Sequence, residues 1–301
     1  MTELIGILGL GRMGLPIAEH LLAAGYTVHG FDPIVGARAA AADRGVTIVD
    51  NEAALAASST ILVSLVGGPD QLRDALAGPA GALATLRPGT VWLDLTSNDP
   101  RLATTLAAEV TSRGGVAVAA PMAGGPAAAA ETRLAFTVAG DSAGRDRVAP
   151  VLEALARDSA TRIHLLGEDV AHAHTAKLLA NLLWFGQVVA VTEALLLGQA
   201  RGLNPATLRE LLAESAGASS FLENDASALL VGDDYATFGI DRVLEQLQIL
   251  GELSAETRTP FELSAAVTRV YADTVDSFGP VAGELLAARL LEERAGRRLA
   301  E

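Results

Sequence analysis

Two groups of residues in this chain have the types and spacing to do chemistry. The first is Gly9-Leu10-Gly11-Arg12-Met13-Gly14, which follows the apolar run Leu4–Leu8 and opens an amphipathic stretch from Leu15 to Ala24. Asp32 closes the next apolar run, Thr27–Phe31. Strand, glycine turn, helix, strand and acid in that order make a dinucleotide site. Gly9 allows the tight turn, Gly11 lets the backbone approach a pyrophosphate, and Gly14 lets the helix pack close to the sheet. The helix N-terminus offers N–H groups and partial positive charge to the phosphates. An ordinary glycine-rich turn would not need the acid at that distance.

The second group is Lys177 and Asn181, four residues apart and so on one helix face, among Ala173, Ala176, Leu178, Ala180, Leu182 and Trp184. An ammonium facing a bound carbonyl could protonate the alkoxide that hydride transfer develops. The asparagine could bond the same oxygen or orient the lysine. From the helix alone, a lysine whose head reaches solvent is the weightier alternative. A third segment, Ala120-Pro121-Met122-Ala123-Gly124-Gly125-Pro126, could offer backbone N–H groups to a carboxylate or oxyanion, or be a loop with no ligand. Trp184 and Phe185 either bound an apolar substrate pocket or pack in the core, the core reading weighing slightly more. His172 and His174 could line a site, although most such histidines are structural or exposed. His29 and His164 have no metal-ligand spacing, and no metal is expected.

The elements that must position these residues alternate up to about His164. Candidate strands are Ile5–Leu8, Thr27–Phe31, Thr60–Leu65, Val91–Leu93, Val116–Ala119 and Ala135–Ala139, with helical stretches such as Asp99–Arg113 between them. This is the pattern of a mostly parallel sheet covered by helices. In such folds ligands bind at the carboxyl ends of strands. Leu65, Val66 and the loop to Pro69, and the loop from Thr96 to Pro100, are therefore expected where a ligand binds, with Asn98 or Asp99 capping the next helix. After Gly167 no strand is evident. A long helix is expected over Val170–Ala200, a new one from Pro205 with Asn204 as its cap, and others over Ile240–Glu256, Pro260–Tyr271 and Pro280–Arg294. The fold class is α/β: a doubly wound sheet over residues 1–165, then an all-helical domain over 166–301.

Composition bounds the rest. A length of 301 residues suits two domains, and 50% hydrophobic with 19% charged residues makes a globular chain. The net charge of −14 argues against nucleic acid and anionic membranes as partners, but not against an anionic cofactor held by backbone amides. There is no cysteine, which excludes disulfides, thiolate metal sites and a cysteine nucleophile. No basic segment precedes an apolar one at the start, so no signal peptide is read and a cytoplasmic location is expected. The apolar stretch Leu178–Leu197 contains Asn181, Gln187 and Glu193, which suits a buried helix better than a membrane span.

In order and spacing these segments resemble the β-hydroxyacid dehydrogenase family over nearly the whole chain. The matching residues are the glycine run with Ala18 and Leu21, Asp94-Leu95-Thr96-Ser97, Pro121-Met122-Ala123-Gly124-Gly125, Lys177 with Asn181, and Glu193-Ala194. The resemblance implies a Rossmann-type domain followed by a helical one, with the active site in the cleft between them. It implies Lys177 as general acid/base, Asn181 as its substrate-binding partner, Thr96 near the nicotinamide, and Met122 to Gly125 at the substrate. A homodimer or larger assembly is expected on the same ground.

Three departures stand out. The family's Asp-Ala-Pro-Val-Ser-Gly-Gly loop has Ala119 for the aspartate and Ala123 for the serine that helps hold the substrate carboxylate. Its Lys-Asp pair, counted from Phe238, is Glu245-Gln246. Its asparagine pair after the catalytic lysine is Ala180-Asn181. Arg133, standing for a small residue of the family's loop, is a candidate anion binder. The expected activity is interconversion of an alcohol and a carbonyl on a less anionic or bulkier substrate. Imine reduction and a non-catalytic dinucleotide-binding protein are the alternatives. Asp32 would repel a 2′-phosphate, so NAD is expected in preference to NADP, with NADP possible.

Overall fold

The apolar runs at Ile5–Leu8, Ile61–Ser64 and Val91–Asp94 become strands covered on both faces, and a strand buried on both faces tolerates few polar residues. The computed structural model describes residues 3–300; Met1, Thr2 and Glu301, at the outer ends of the two expected domains, lie outside them. The strands are β1 (Leu4–Leu8), β2 (Thr27–Phe31), β3 (Thr47–Ile48), β4 (Ile61–Ser64), β5 (Val91–Asp94), β6 (Val116–Ala119), β7 (Met122–Ala123), β8 (Ala135–Gly140) and β9 (Ile163–Leu165). They form one sheet in the order β3-β2-β1-β4-β5-β6-β8-β7, with β9 beside β8. The first six are parallel, and β8 turns antiparallel against β6. The order reverses between β1 and β4, the switch point at which open α/β sheets bind ligands.

Alternate side chains feed two cores. Ile61, Val63, Val91, Leu93 and Val118 enter one layer, and Leu62, Trp92, Ala117 and Ala119 the other. The helices of this half are α1 (Gly14–Ala23), α2 (Val35–Ala42), α3 (Glu52–Ser58), α4 (Pro69–Ala77), α5 (Pro100–Ser112), α6 (Gly125–Ala130), α7 (Ser142–Leu155) and α8 (Ser159–Arg162). Asn51, Asp99 and Asp141 cap α3, α5 and α7 through side-chain oxygens that accept backbone N–H bonds. Such a cap contributes about 0.5–2 kcal/mol. Of the two expected cap candidates for α5, Asp99 is the one used.

The second half is helical: α9 (Val170–Ala200), α10 (Pro205–Ala213), α11 (Ser227–Val231), α12 (Ile240–Thr257), α13 (Glu262–Phe278) and α14 (Leu286–Ala295), with a wide-turn helical segment at Phe221–Asp225. Asn204 caps α10, with Pro205 in its first turn. The core here gathers Phe185, Val188 and Leu195 of α9 with Phe221, Val243, Leu247 and Tyr271. Among the described residues α9 is the one helix long and apolar enough to cross a membrane, and Phe185, Val188 and Leu195 on it are buried in this core.

The last helix starts later than Pro280. Residues 280–285 instead bond to the segment before α12: the Ile240 N–H reaches the Val281 carbonyl and the Gly283 N–H reaches that of Phe238. The chain divides into units 1–177 and 178–301, later than the change of character at 165/166 in the sequence. The reason is local. Val170 and Ala173 of α9 pack into the sheet's second core, and the Thr137 hydroxyl donates to the Ala173 carbonyl at 3.1 Å.

Candidate functional site

The glycine turn is built as its spacing predicts. Gly9 has φ +98°, a conformation costly for any other residue, and a Cβ on it would overlap the Leu65 carbonyl oxygen. A Cβ on Gly14 would overlap the Gly9 carbonyl oxygen, so the first turn of α1 sits directly on the turn before it. Gly11 differs: a Cβ there would meet nothing within 4 Å. The Leu15 N–H bonds to the Gly11 carbonyl at 3.0 Å, and the N–H groups ahead of it have no intrahelical partner. An open glycine surface before a helix N-terminus is the shape a pyrophosphate needs. The residues present therefore fit a dinucleotide.

Asp32 lies beside this turn, 7% exposed. Its Oδ2 accepts the Leu10 N–H and its Oδ1 the Ile34 N–H, both at 2.8 Å. Hydrogen bonds to a charged group are worth about 1.5–3 kcal/mol. The carboxylate thus also ties β2 to the glycine turn. Arg38, too far along the sequence to be read as a phosphate clamp, folds back so that its Nη1 donates to the Asp32 carbonyl at 2.5 Å. Its guanidinium lies 5.7 Å from the Phe31 ring centroid.

On the β4 side of the switch point, the Val66 N–H donates to the Thr96 hydroxyl at 3.3 Å, joining the loops after β4 and β5. Beneath Thr96 lies a fully buried polar group. Asp94 Oδ1 accepts the Ser64 hydroxyl at 2.8 Å and the Thr96 N–H at 3.0 Å, and Ser64 Oγ accepts the Trp92 indole N–H at 2.9 Å. Asp94 Oδ2 accepts from Asn98 at 3.4 Å and lies 3.3 Å from Nε2 of His174 on α9. That approach is out of line for a hydrogen bond, and neither ring nitrogen has a hydrogen-bond partner. Burial pushes Asp94 up to about 6, against the pull of the Ser64, Thr96 and Asn98 hydrogen bonds. Burial likewise pushes His174 down to about 3, opposed by the Asp99 charge, so the ring is neutral at pH 7. Asp94 was legible in the sequence only as part of a motif; its pairing with a histidine eighty positions away (174 − 94 = 80) was not.

The structure places the other expected residues as follows. Lys177 ends the first unit, half-buried on α9 one turn beyond His174. His172 is exposed, near Asp169 and the Leu166 carbonyl, while His174 is buried. Met122 and Ala123 form β7 on β8, and Gly124 leads into α6 with φ +124°. Arg133 is paired with Glu131 at 2.7 Å, which offsets its value as an anion binder.

In the second unit, Asn181 Nδ2 donates to Gln246 Oε1 at 2.7 Å, and Gln246 is 4% exposed. The residue standing for the family's aspartate thus fixes the asparagine amide. Glu245 next to it is paired with Arg242 at 3.1 Å through both oxygens. Its charge is therefore partly offset, which the sequence reading did not allow for. Trp184 packs edge-on against Phe185 and Phe221, and its indole N–H donates to Asp225 at 3.0 Å. Among the described residues no group of three His, Asp or Glu side chains could hold a metal.

Comparison with known proteins covers the whole of this arrangement. A family model described as the NAD binding domain of 6-phosphogluconate dehydrogenase matches residues 4–167. One described as the NAD-binding part of NADP-dependent 3-hydroxyisobutyrate dehydrogenase matches residues 171–291. The chain is 30% identical to 2-(hydroxymethyl)glutarate dehydrogenase of Eubacterium barkeri over 89% of its own length and 87% of that protein's. It is 28% identical to L-threonate dehydrogenase of Cupriavidus necator, covering 90% of each. A structure of 3-hydroxyisobutyrate dehydrogenase from Mycobacterium tuberculosis with L-serine superposes with a TM-score of 0.86 at 25% identity, over 97% of this chain and 99% of the other.

Proposed function

Because the chain belongs to the β-hydroxyacid dehydrogenase family, NAD(P)-dependent oxidoreductases that act on hydroxyl groups, we propose that Lys177 transfers the proton and Asn181 binds the substrate oxygen in this reaction. The observation that carries the reading is their placement on one unbroken helix, one turn apart, with the Asn181 amide held by buried Gln246. A nicotinamide dinucleotide, when bound, supplies or accepts the hydride. Gly9 to Gly14 and Asp32 hold its pyrophosphate and ribose, with Leu65, Val66 and Thr96 beside it. Lys177 delivers the proton to the carbonyl oxygen, and in the reverse direction removes it from the hydroxyl. Met122, Ala123 and the amides of Gly124 and Gly125 face the substrate, with Trp184 bounding its apolar side.

The substrate is less anionic or bulkier than a small hydroxyacid. Ala123 offers no hydroxyl donor and Glu245 brings negative charge, although Arg242 offsets part of it. Two like charges ~4 Å apart repel by about 4 kcal/mol at an effective dielectric near 20, and the ion pair reduces that figure. The preferred cofactor is NAD, since the Asp32 carboxylate disfavours a 2′-phosphate; Arg38 provides the route by which NADP is tolerated. One set of measurements tests these points: specificity constants with NADH and NADPH on neutral carbonyls, cyclic imines and the oxidised forms of 3-hydroxyisobutyrate and 2-(hydroxymethyl)glutarate. Neutral carbonyls with NADH are expected to react best. Strong activity on the small acids, unimproved by Ala123→Ser with Glu245→Lys, sinks the charge argument. A clear NADPH preference sinks the cofactor assignment, and turnover of imines alone gives the imine-reductase reading instead.

The protein is expected to act in the cytoplasm as a homodimer or larger, given the apolar Leu179, Leu183 and Leu197 exposed along α9. A monomer by light scattering would contradict the assembly.

A further inference from the structure

The buried pair Asp94 and His174 has no part in the reaction as derived above, yet both side chains are withdrawn from solvent. Asp94 is 0% and His174 1% exposed. Both imidazole nitrogens, and Oδ1 of neighbouring Asn98, lack hydrogen-bond partners. A leucine at this position would not bury two unmatched ring nitrogens, so the histidine calls for an explanation in what it packs against.

Its surroundings say what that is. Hydrogen bonds tie the one carboxylate to Ser64 at the end of β4 and to Thr96 and Asn98 in the loop after β5, and His174 in the first turns of α9 is packed against it at 3.3 Å. Thr96 in turn accepts the Val66 N–H. Residues three apart on a helix share a face, so the turn fixed at His174 is the turn that presents Lys177. Thr137 of β8, donating to the Ala173 carbonyl, is a further polar tie from the sheet to this turn.

We propose that His174, seated against Asp94, is the positioning residue for Lys177: it registers the start of α9 on the carboxyl ends of the sheet and so sets the lysine relative to the Thr96 and Val66 loops. The proposal rests on the reading of Lys177 as the proton-transferring group. His174 itself does not touch substrate, and its neutral ring carries no proton in the reaction.

The test uses the full chain with four single substitutions: His174→Phe, His174→Gln, Asp94→Asn and Lys177→Met. Each is assayed with NADH and the best carbonyl from the panel, with NADH affinity by fluorescence titration and Tm by calorimetry. His174→Phe is expected to lower kcat by about 10–100-fold, the cost of a small misplacement of a catalytic group, with KM and NADH affinity little changed. His174→Gln, which keeps a polar atom near Asp94, should recover most of that loss. Asp94→Asn is read in the same way and decides the matter if His174→Phe does not fold. Unchanged kcat in His174→Phe or Asp94→Asn beside an inactive Lys177→Met overturns the positioning role alone. Equal losses in the Phe and Gln variants, tracking a lowered Tm, also overturn it and make the pair merely structural. A fully active Lys177→Met overturns the reading of the lysine itself.

Discussion

Replacing Lys177 with methionine should lower turnover by about 10²–10⁴-fold, the range that a positioned general acid supplies. Methionine keeps the unbranched stem and is nearly as good a helix former, so α9 should persist and the loss should report the ammonium alone. NADH affinity should barely move, because the glycine turn and Asp32 are separate from α9 and held by their own hydrogen bonds. Steady-state turnover and a fluorescence titration check both halves of the expectation. Near-normal turnover would make this lysine a structural residue and remove the proposed proton transfer.

Gly11→Ala separates folding from cofactor binding. A methyl group at this position meets no protein atom within 4 Å, and Gly11 is not among the residues at positive φ. An alanine at a compatible site stabilises by about 0.4–1 kcal/mol through the unfolded chain, so Tm should hold or rise slightly. The same methyl stands where the backbone must come close to a pyrophosphate. Crowding of that kind costs about 1–3 kcal/mol, or roughly 10–100-fold in NADH affinity. Calorimetry beside a binding titration reads the two effects independently. Unchanged affinity would mean that the dinucleotide does not lie on this turn. At Gly9 the same substitution would confuse the two effects, since its Cβ overlaps the Leu65 carbonyl.

The parts of the molecule legible in the sequence were those whose signal is local. Long apolar runs gave β1, β2 and β4, and the Asn204-Pro205 pair marked the start of α10. Strands β3, β7 and β9, two or three residues each, have no pattern of their own and exist because a longer neighbour pairs with them. The stretch after Pro280 has helical composition, but bonds to the residues around Phe238 took it instead. In the site, the glycine turn and its acid could be read from spacing. Lys177 could not be separated from a solvated lysine without the family resemblance. The partners of Asn181, Glu245 and Asp94 were out of reach, because hydrogen-bond partners distant in sequence leave no periodic trace.

The division of the chain at 177/178 falls inside an unbroken helix, between Lys177 and Asn181. Boundaries between units are usually where chains tolerate insertion and exchange. Here the reverse holds. One added residue in 178–180 would turn everything beyond it by about 100°, at 3.6 residues per turn, and take Asn181 off the face it shares with Lys177. An inserted residue is therefore expected to be tolerated in the loop before Val170 or after Ala200, and to abolish turnover within 178–180, as activity assays of the insertion variants would show. The place where the two units meet in the sequence is thus the place where the residue count matters most to the proposed reaction.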